Sequence, residues 1–287
     1  MLKSKDALQI FTSQAISEIA NGDYSLLYRV VNEFIQPRFM PIKIADIFDL
    51  TLSKVSIDYK NEYFYKNVIA NNIFLKKHSP TKATMINELR IGSSKADCVI
   101  LNGYSTCYEI KTEFDNLKRL PEQLNNYCNI FDRVYVVSAE KHVEKILKCI
   151  PENVGVILLT KRGTLKEVRK AITLESSVDP DLMIQSLRRD EYVYIAEKIS
   201  KVDVNVSNMN IYEHCLKIFK TEDSSSLRIL FRESLKKYRS VNLELLNKVP
   251  QSLANSVISC RLKLTEQENL ANILSEYIER DDKCIFH

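Results

Sequence analysis

Apolar periodicity along this 287-residue chain predicts an α/β fold, a mixed sheet flanked by helices, with helical segments on either side. Three observations predict it. Between residues 83 and 112, three short apolar runs of strand length follow one another, separated by Gly92 and by Asn102-Gly103. Two continuous apolar runs, 133–138 and 154–160, then alternate with segments of helical period. Before residue 56 and after about residue 170, only helical spacing recurs.

The elements follow in order. Ala7 to Ala20 carries apolar residues at 8, 10, 11, 15, 16, 19 and 20, a helix that Asn21-Gly22-Asp23 ends. Tyr24 to Ile35 repeats the pattern up to Pro37, and Ile42 to Val55 gives a third helix. Ile57 to Leu75 reads as one strong helix. Strands are expected at Ala83–Arg90, Lys95–Leu101 and Ser105–Thr112, the last two joined through Asn-Gly, a hairpin signal. Pro121, suited to a first helical turn, opens a helix to Ile130. Strand 133–138, helix 141–149 and strand 154–160 complete an α-β-β-β-α-β-α-β order, antiparallel first and crossing over later. Beyond Lys161-Arg162-Gly163 no further strand is expected, only helices at 180–199, 211–219, 226–238, 243–246 and 265–278. The expected division is a helical segment 1–56, a core 57–170 and a helical region 171–287.

Bulk properties exclude several classes. The net charge of +4 is spread between the two halves, so no global basic field announces nucleic acid and any such partner must be held by a local patch. Seven cysteines at 98, 107, 128, 149, 215, 260 and 284 make no C-x-x-C pair and are odd in number, as in a reduced cytoplasmic protein. No stretch approaches the ~20 apolar residues of a membrane span, and Met1-Leu2-Lys3-Ser4-Lys5-Asp6 lacks a signal-like apolar region. The histidines at 78, 142, 214 and 287 do not pair at zinc spacing, and Cys284-x-x-His287 alone is no site.

Charge sits where strands do not tolerate it. Asp97 heads one apolar run, and Glu109 and Lys111 interrupt the next. An unpartnered buried ion costs several kcal/mol, on the order expected for desolvated charges, so these groups need a purpose. Two carboxylates at adjacent strand ends suit a hard divalent cation, and an ammonium beside them suits a phosphate. The plainer reading is a strand-end turn residue beside a solvated cross-strand ion pair.

Asp97 followed by Glu109-Ile110-Lys111, in this strand order, resembles the signature of the PD-(D/E)XK nuclease superfamily, whose restriction-endonuclease-like core runs α-β-β-β-α-β. Gln123-Leu124-Asn125-Asn126-Tyr127 adds a Q-x-x-x-Y, similar to RecB-like and lambda-exonuclease-like nucleases and to a poorly characterised bacterial group of that superfamily. The likeness covers residues 57 to 160. It implies a Mg²⁺- or Mn²⁺-dependent nuclease acting on DNA rather than RNA, endo or exo undecided, with Q-x-x-x-Y leaning toward strand ends. By this resemblance Asp97, Glu109 and the Ile110 carbonyl hold the ion, Lys111 orients water and screens the phosphate, and Gln123 and Tyr127 complete the catalytic set. A further acidic ligand is Glu62, favoured on topology, or Glu88.

Arg119 is a candidate phosphate contact. Arg228, Arg232, Lys236 and Arg239 recur every three or four residues and are candidates for tracking a nucleic-acid backbone, though a solvated helix face gives the same pattern. Lys76-Lys77 and Lys161-Arg162 are smaller candidates. Two rivals stay open: a non-catalytic nucleic-acid-binding or regulatory protein on the same fold, and a helical adaptor. The carboxy-terminal helices are the expected surface for a homodimer or a protein partner.

Overall fold

A computed structural model describes residues 2–79 and 81–279; Cys284 and His287 lie outside the described residues. The chain divides into two compact units, Met1–Asn71 with Val241–His287, and a contiguous Asn72–Ser240. These limits differ from the expected divisions after residues 56 and 170. An apolar stripe says that a helix is buried, not against which partner, and so it cannot place helices such as Glu62–Ile69 or Ser224–Tyr238 in a unit.

The discontinuous unit is helical around Ile16, Leu27, Phe48, Leu253 and Leu270. Its two-residue strand β1 (Ile42–Lys43) pairs antiparallel with Tyr277–Ile278, where helical spacing predicts a continuing helix. The helix expected over 7–20 is broken, because the Thr12 hydroxyl accepts from the Ala15 amide and caps a new helix, Ser13–Ala20. Asn61 likewise caps Glu62–Ile69 by accepting from Phe64 N, so the helix expected over 57–75 is really the end of Ile44–Asp58, a break, and a second helix whose last turns widen to π geometry over Ala70–Leu75. Asn67, buried on that second helix, accepts from Asn255 N and donates to Gln251 O, which ties in the carboxy-terminal segment.

The contiguous unit is built on a six-stranded mixed sheet: β2 (Thr84–Ile91), β3 (Ser94–Leu101), β4 (Ser105–Lys111), β5 (Arg133–Ser138), β6 (Gly155–Leu159) and β7 (Leu165–Arg169), adjacent in sequence order. β2, β3 and β4 pair antiparallel; β4, β5 and β6 pair parallel through helices Leu120–Cys128 and Glu140–Cys149. These strands and helices lie within two residues of the expected limits. β7 departs from expectation. It is an antiparallel edge strand reading Leu-Lys-Glu-Val-Arg, mostly exposed, so it lacks the apolar run that marks its buried neighbours. One sheet face, with Val99, Cys107, Val136 and Val156, packs against Leu124, Tyr127 and Ile146 of the crossover helices and against Met183, Ile195, Phe219 and Phe231 of the later ones.

Asp132 pins this layer. Its Oδ2 accepts from Ser105 N at 2.6 Å, Ser105 Oγ at 2.8 Å and Arg232 Nη1 at 2.9 Å, joining the start of β4, the approach to β5 and helix Ser224–Tyr238. Among the described residues no helix is long and apolar enough to cross a membrane.

Gly155 is set by contact. A Cβ there would stand 2.3 Å from Tyr135 Cε1 and 2.7 Å from Ala171 N. Gly155→Ala is expected to cost about 1–3 kcal/mol by overpacking, read as a lower urea midpoint at unchanged slope.

Candidate functional site

All seven residues of β4 are buried, and the strand lies between two hydrogen-bonded neighbours. Alternation puts Cys107, Glu109 and Lys111 on the face that carries the core. Glu109 is 1% exposed and Lys111 7%, so both charges have left water and must be answered within the protein. Lys111 Nζ donates to Glu109 Oε1 at 2.6 Å and to Gln123 Oε1 at 3.0 Å, and the Tyr127 hydroxyl donates to Glu109 Oε2 at 3.0 Å. Gln123 and Tyr127 reach together because they are one turn apart on helix Leu120–Cys128.

Asp97 joins the cluster through the sheet register. Cys98 pairs with Tyr108, so the next antiparallel position sets Asp97 opposite Glu109. The Asp97 carboxylate then takes the strand's next donor, accepting from Ile110 N at 2.6 Å. The structure therefore brings together Asp97, Glu109, Ile110, Lys111, Gln123 and Tyr127.

Electrostatics follow from burial. Desolvation raises the Glu109 carboxyl above its ordinary value, while the Lys111 ammonium, the Tyr127 hydroxyl and the Gln123 amide pull it back. Desolvation likewise pushes the Tyr127 phenol up, helped by Cys107, Glu109 and Asp97. The carboxyl end of β4 is locked in place. Asp115 Oδ2 accepts from Thr112 N and Thr112 Oγ1, each at 2.7 Å, and Ala139 N donates to Lys111 O at 3.0 Å. Desolvation, then Lys141, lowers the pKa of His142, whose buried Nε2 meets no hydrogen-bond partner among the described residues.

The two candidates for a further acid are placed differently. Glu88 faces Asp97 in the β2–β3 register, but pairing skips it: its φ is +58° and its carboxylate contacts Lys95. Glu62 belongs to the other unit, where it pairs with Lys66. Among the described residues, no group of three or more His, Cys, Asp or Glu is arranged to hold a metal ion. Asp97 and Glu109 are nonetheless the right donors for Mg²⁺ or Mn²⁺. Both are hard oxygen ligands from facing positions, and an ion that keeps most of its waters needs only one or two carboxylates.

The basic stripe on helix Ser224–Tyr238 is corrected. Arg228 is buried, donating to Ile130 O and Ser176 O. Arg232 is taken by Asp132, and Arg239 binds both oxygens of buried Glu191 at 2.6 Å. Their guanidinium groups answer internal carboxylates, which helical spacing cannot distinguish from an outward stripe. Lys236 is half-buried at the same helix, and Arg119 is exposed just before helix Leu120–Cys128.

A family model described as bacteriophage P4 protein cII matches residues 55–264. Protein cII of Enterobacteria phage P4 is 39% identical to this chain over 84 residues, which make up 29% of this chain and 32% of that protein. The chain thus aligns with about a third of the length of that curated relative. No solved structure matches the chain.

The raised Glu109 carboxyl fixes a sign. The folded protein holds that proton more tightly than the unfolded chain does, so the stability it contributes is fully present below the ordinary value of 4.5 and is lost as pH rises through the folded value. Tyr127→Phe removes a hydrogen bond to the ionised form. It is expected to cost about 1.5–3 kcal/mol at neutral pH and to extend the window upward. Glu109→Gln should abolish this pH dependence; urea unfolding across the pH range, without added metal, measures both.

Proposed function

The chain belongs to the bacteriophage P4 protein cII family, and we propose that it is a Mg²⁺- or Mn²⁺-dependent nuclease of the PD-(D/E)XK type, acting on DNA in the cytoplasm. The observation that carries this is Glu109, buried in a central strand and bonded at once to Lys111 and Tyr127, with Gln123 on the same ammonium. A buried pair of this kind adds little net stability over apolar residues of similar volume. Its presence beside Asp97 is better explained by chemistry. The β-β-β-α-β order of β2 to β5 around helix Leu120–Cys128 agrees with a restriction-endonuclease-like core.

Charge adds support. The contiguous unit holds 28 Lys and Arg against 22 Asp and Glu, a net of +6, while the other unit is net −2. The even distribution between sequence halves conceals this asymmetry, which favours a polyanionic substrate at the unit bearing the cluster.

Asp97 and Glu109 would hold the ion, with the Ile110 carbonyl as a third ligand; when bound, the ion supplies charge neutralisation at the phosphate and acidifies water. Lys111 presents an ammonium to the non-bridging phosphate oxygens, where negative charge grows in the transition state. Gln123 holds Lys111 in line, and Tyr127 fixes the Glu109 rotamer. A second reading, a non-catalytic nucleic-acid-binding or regulatory protein, is favoured by the saturation of both carboxylates from within: Ile110 N on Asp97, Lys111 and Tyr127 on Glu109.

Linear and circular, single- and double-stranded DNA and RNA, incubated with Mg²⁺ or Mn²⁺, test the reading. Wild type should cut at least one form. Lys111→Ala and Glu109→Gln should each cut about 10²–10³-fold more slowly, the usual cost of losing one stabilising group, while remaining folded by circular dichroism. No cleavage of any substrate by wild type, or unchanged rates in both variants, would defeat it.

A further inference from the structure

β4, β5 and β6 run parallel, so their carboxyl ends, Lys111, Ser138 and Leu159, emerge along one sheet edge. Three connections start there. The first, 112–119, carries exposed Phe114, Lys118 and Arg119; the second opens helix Glu140–Cys149 with exposed Lys141; the third, 160–164, carries exposed Lys161 and Arg162 at a turn made by Gly163 with φ +77°. The five cations take part in no salt bridge among the described residues. Glu113, Glu122, Glu140 and Glu144 are the exposed anions near them in sequence, Glu122 accepting from Ser93 Oγ, while the Asp115 carboxylate is engaged by Thr112.

Phe114 separates this edge from a merely basic surface. The residue is 57% exposed, three residues beyond Lys111, on a turn held by Phe114 N donating to Thr112 Oγ1. An exposed aromatic ring beside a row of cations suits unstacked bases with a flexible phosphate chain; a duplex offers its phosphates but not its base faces.

We infer that this edge binds single-stranded nucleic acid, a base stacking on Phe114 and the backbone running past Lys118, Arg119 and Lys141 to Lys161 and Arg162. The three strand ends span about 10 Å, so the track is a few nucleotides long and passes the end of β4. The inference rests on the nuclease reading and names its substrate as a single strand. It also replaces the inward-turned arginines as the phosphate contacts.

Binding separates the two claims, because it is read without metal and so without cleavage. Fluorescence anisotropy of labelled oligo-dT in EDTA should show Phe114→Ala weakening affinity roughly 5- to 100-fold, the range for removing one stacked base. The Lys161→Glu/Arg162→Glu double variant should weaken it at least tenfold and flatten the salt dependence by about 0.7 for each phosphate that is no longer neutralised. Lys217→Glu, an exposed change on helix Ile211–Phe219, should leave binding unaltered. If wild type binds oligo-dT and both edge variants bind it equally well, the edge is wrong while the nuclease reading stands. Preference for duplex over single strand, or wild type binding no oligo-dT, would also overturn the inference, and cleavage assays would judge the nuclease reading separately.

Discussion

The bond between Lys111 Nζ and Glu109 Oε1 is the constraint around which the contiguous unit is arranged. Two opposite charges in a wholly buried strand hold only if the remaining lone pairs and protons are answered too. That requirement fixes where helix Leu120–Cys128 lies, since Gln123 and Tyr127 must both reach the pair from one face. The same helix buries Leu120 and Leu124 in the sheet core, and Tyr127 packs its ring against Phe131. Site and core therefore share one element, and the helix cannot shift without exposing apolar surface and orphaning a charge together.

Two other buried acids are answered differently. Asp132 and Glu191 meet arginines and backbone donors, a rigid fork geometry that leaves little to rearrange. Glu109 meets a lysine, a point charge on a flexible stem, together with a phenol and an amide. Guanidinium pairs are suited to holding helices in place. An ammonium can turn from a carboxylate toward an arriving anion while keeping its bond to Gln123.

Much of the contiguous unit was legible because its central strands, β4 to β6, are buried on both sides and read as largely apolar runs, and because Asn102-Gly103 and Pro121 mark connections. The cluster was legible for the opposite reason: Asp97, Glu109 and Lys111 break those runs. What stayed hidden depends on contacts distant in sequence. β7 is an edge whose exposed face erases the pattern. The arginines of helix Ser224–Tyr238 turn inward toward Asp132 and Glu191, up to 100 residues away, and no local spacing records that. The break before Glu62 came from Asn61, a capping residue inside what otherwise reads as continuous helical period.

The pairing of β1 with Tyr277–Ile278 has a consequence for biosynthesis. Ile16, Leu27 and Phe48 pack around partners, Leu253, Leu270 and Ile278, that are translated about 200 residues later. At about 5–20 residues per second, the amino-terminal helices wait on the order of ten seconds or more for those partners. The sheet unit is contiguous and can complete itself within that interval. The chain is thus made as a finished insert inside an unfinished host, and the exposed apolar faces of the waiting helices are its most vulnerable surface during translation.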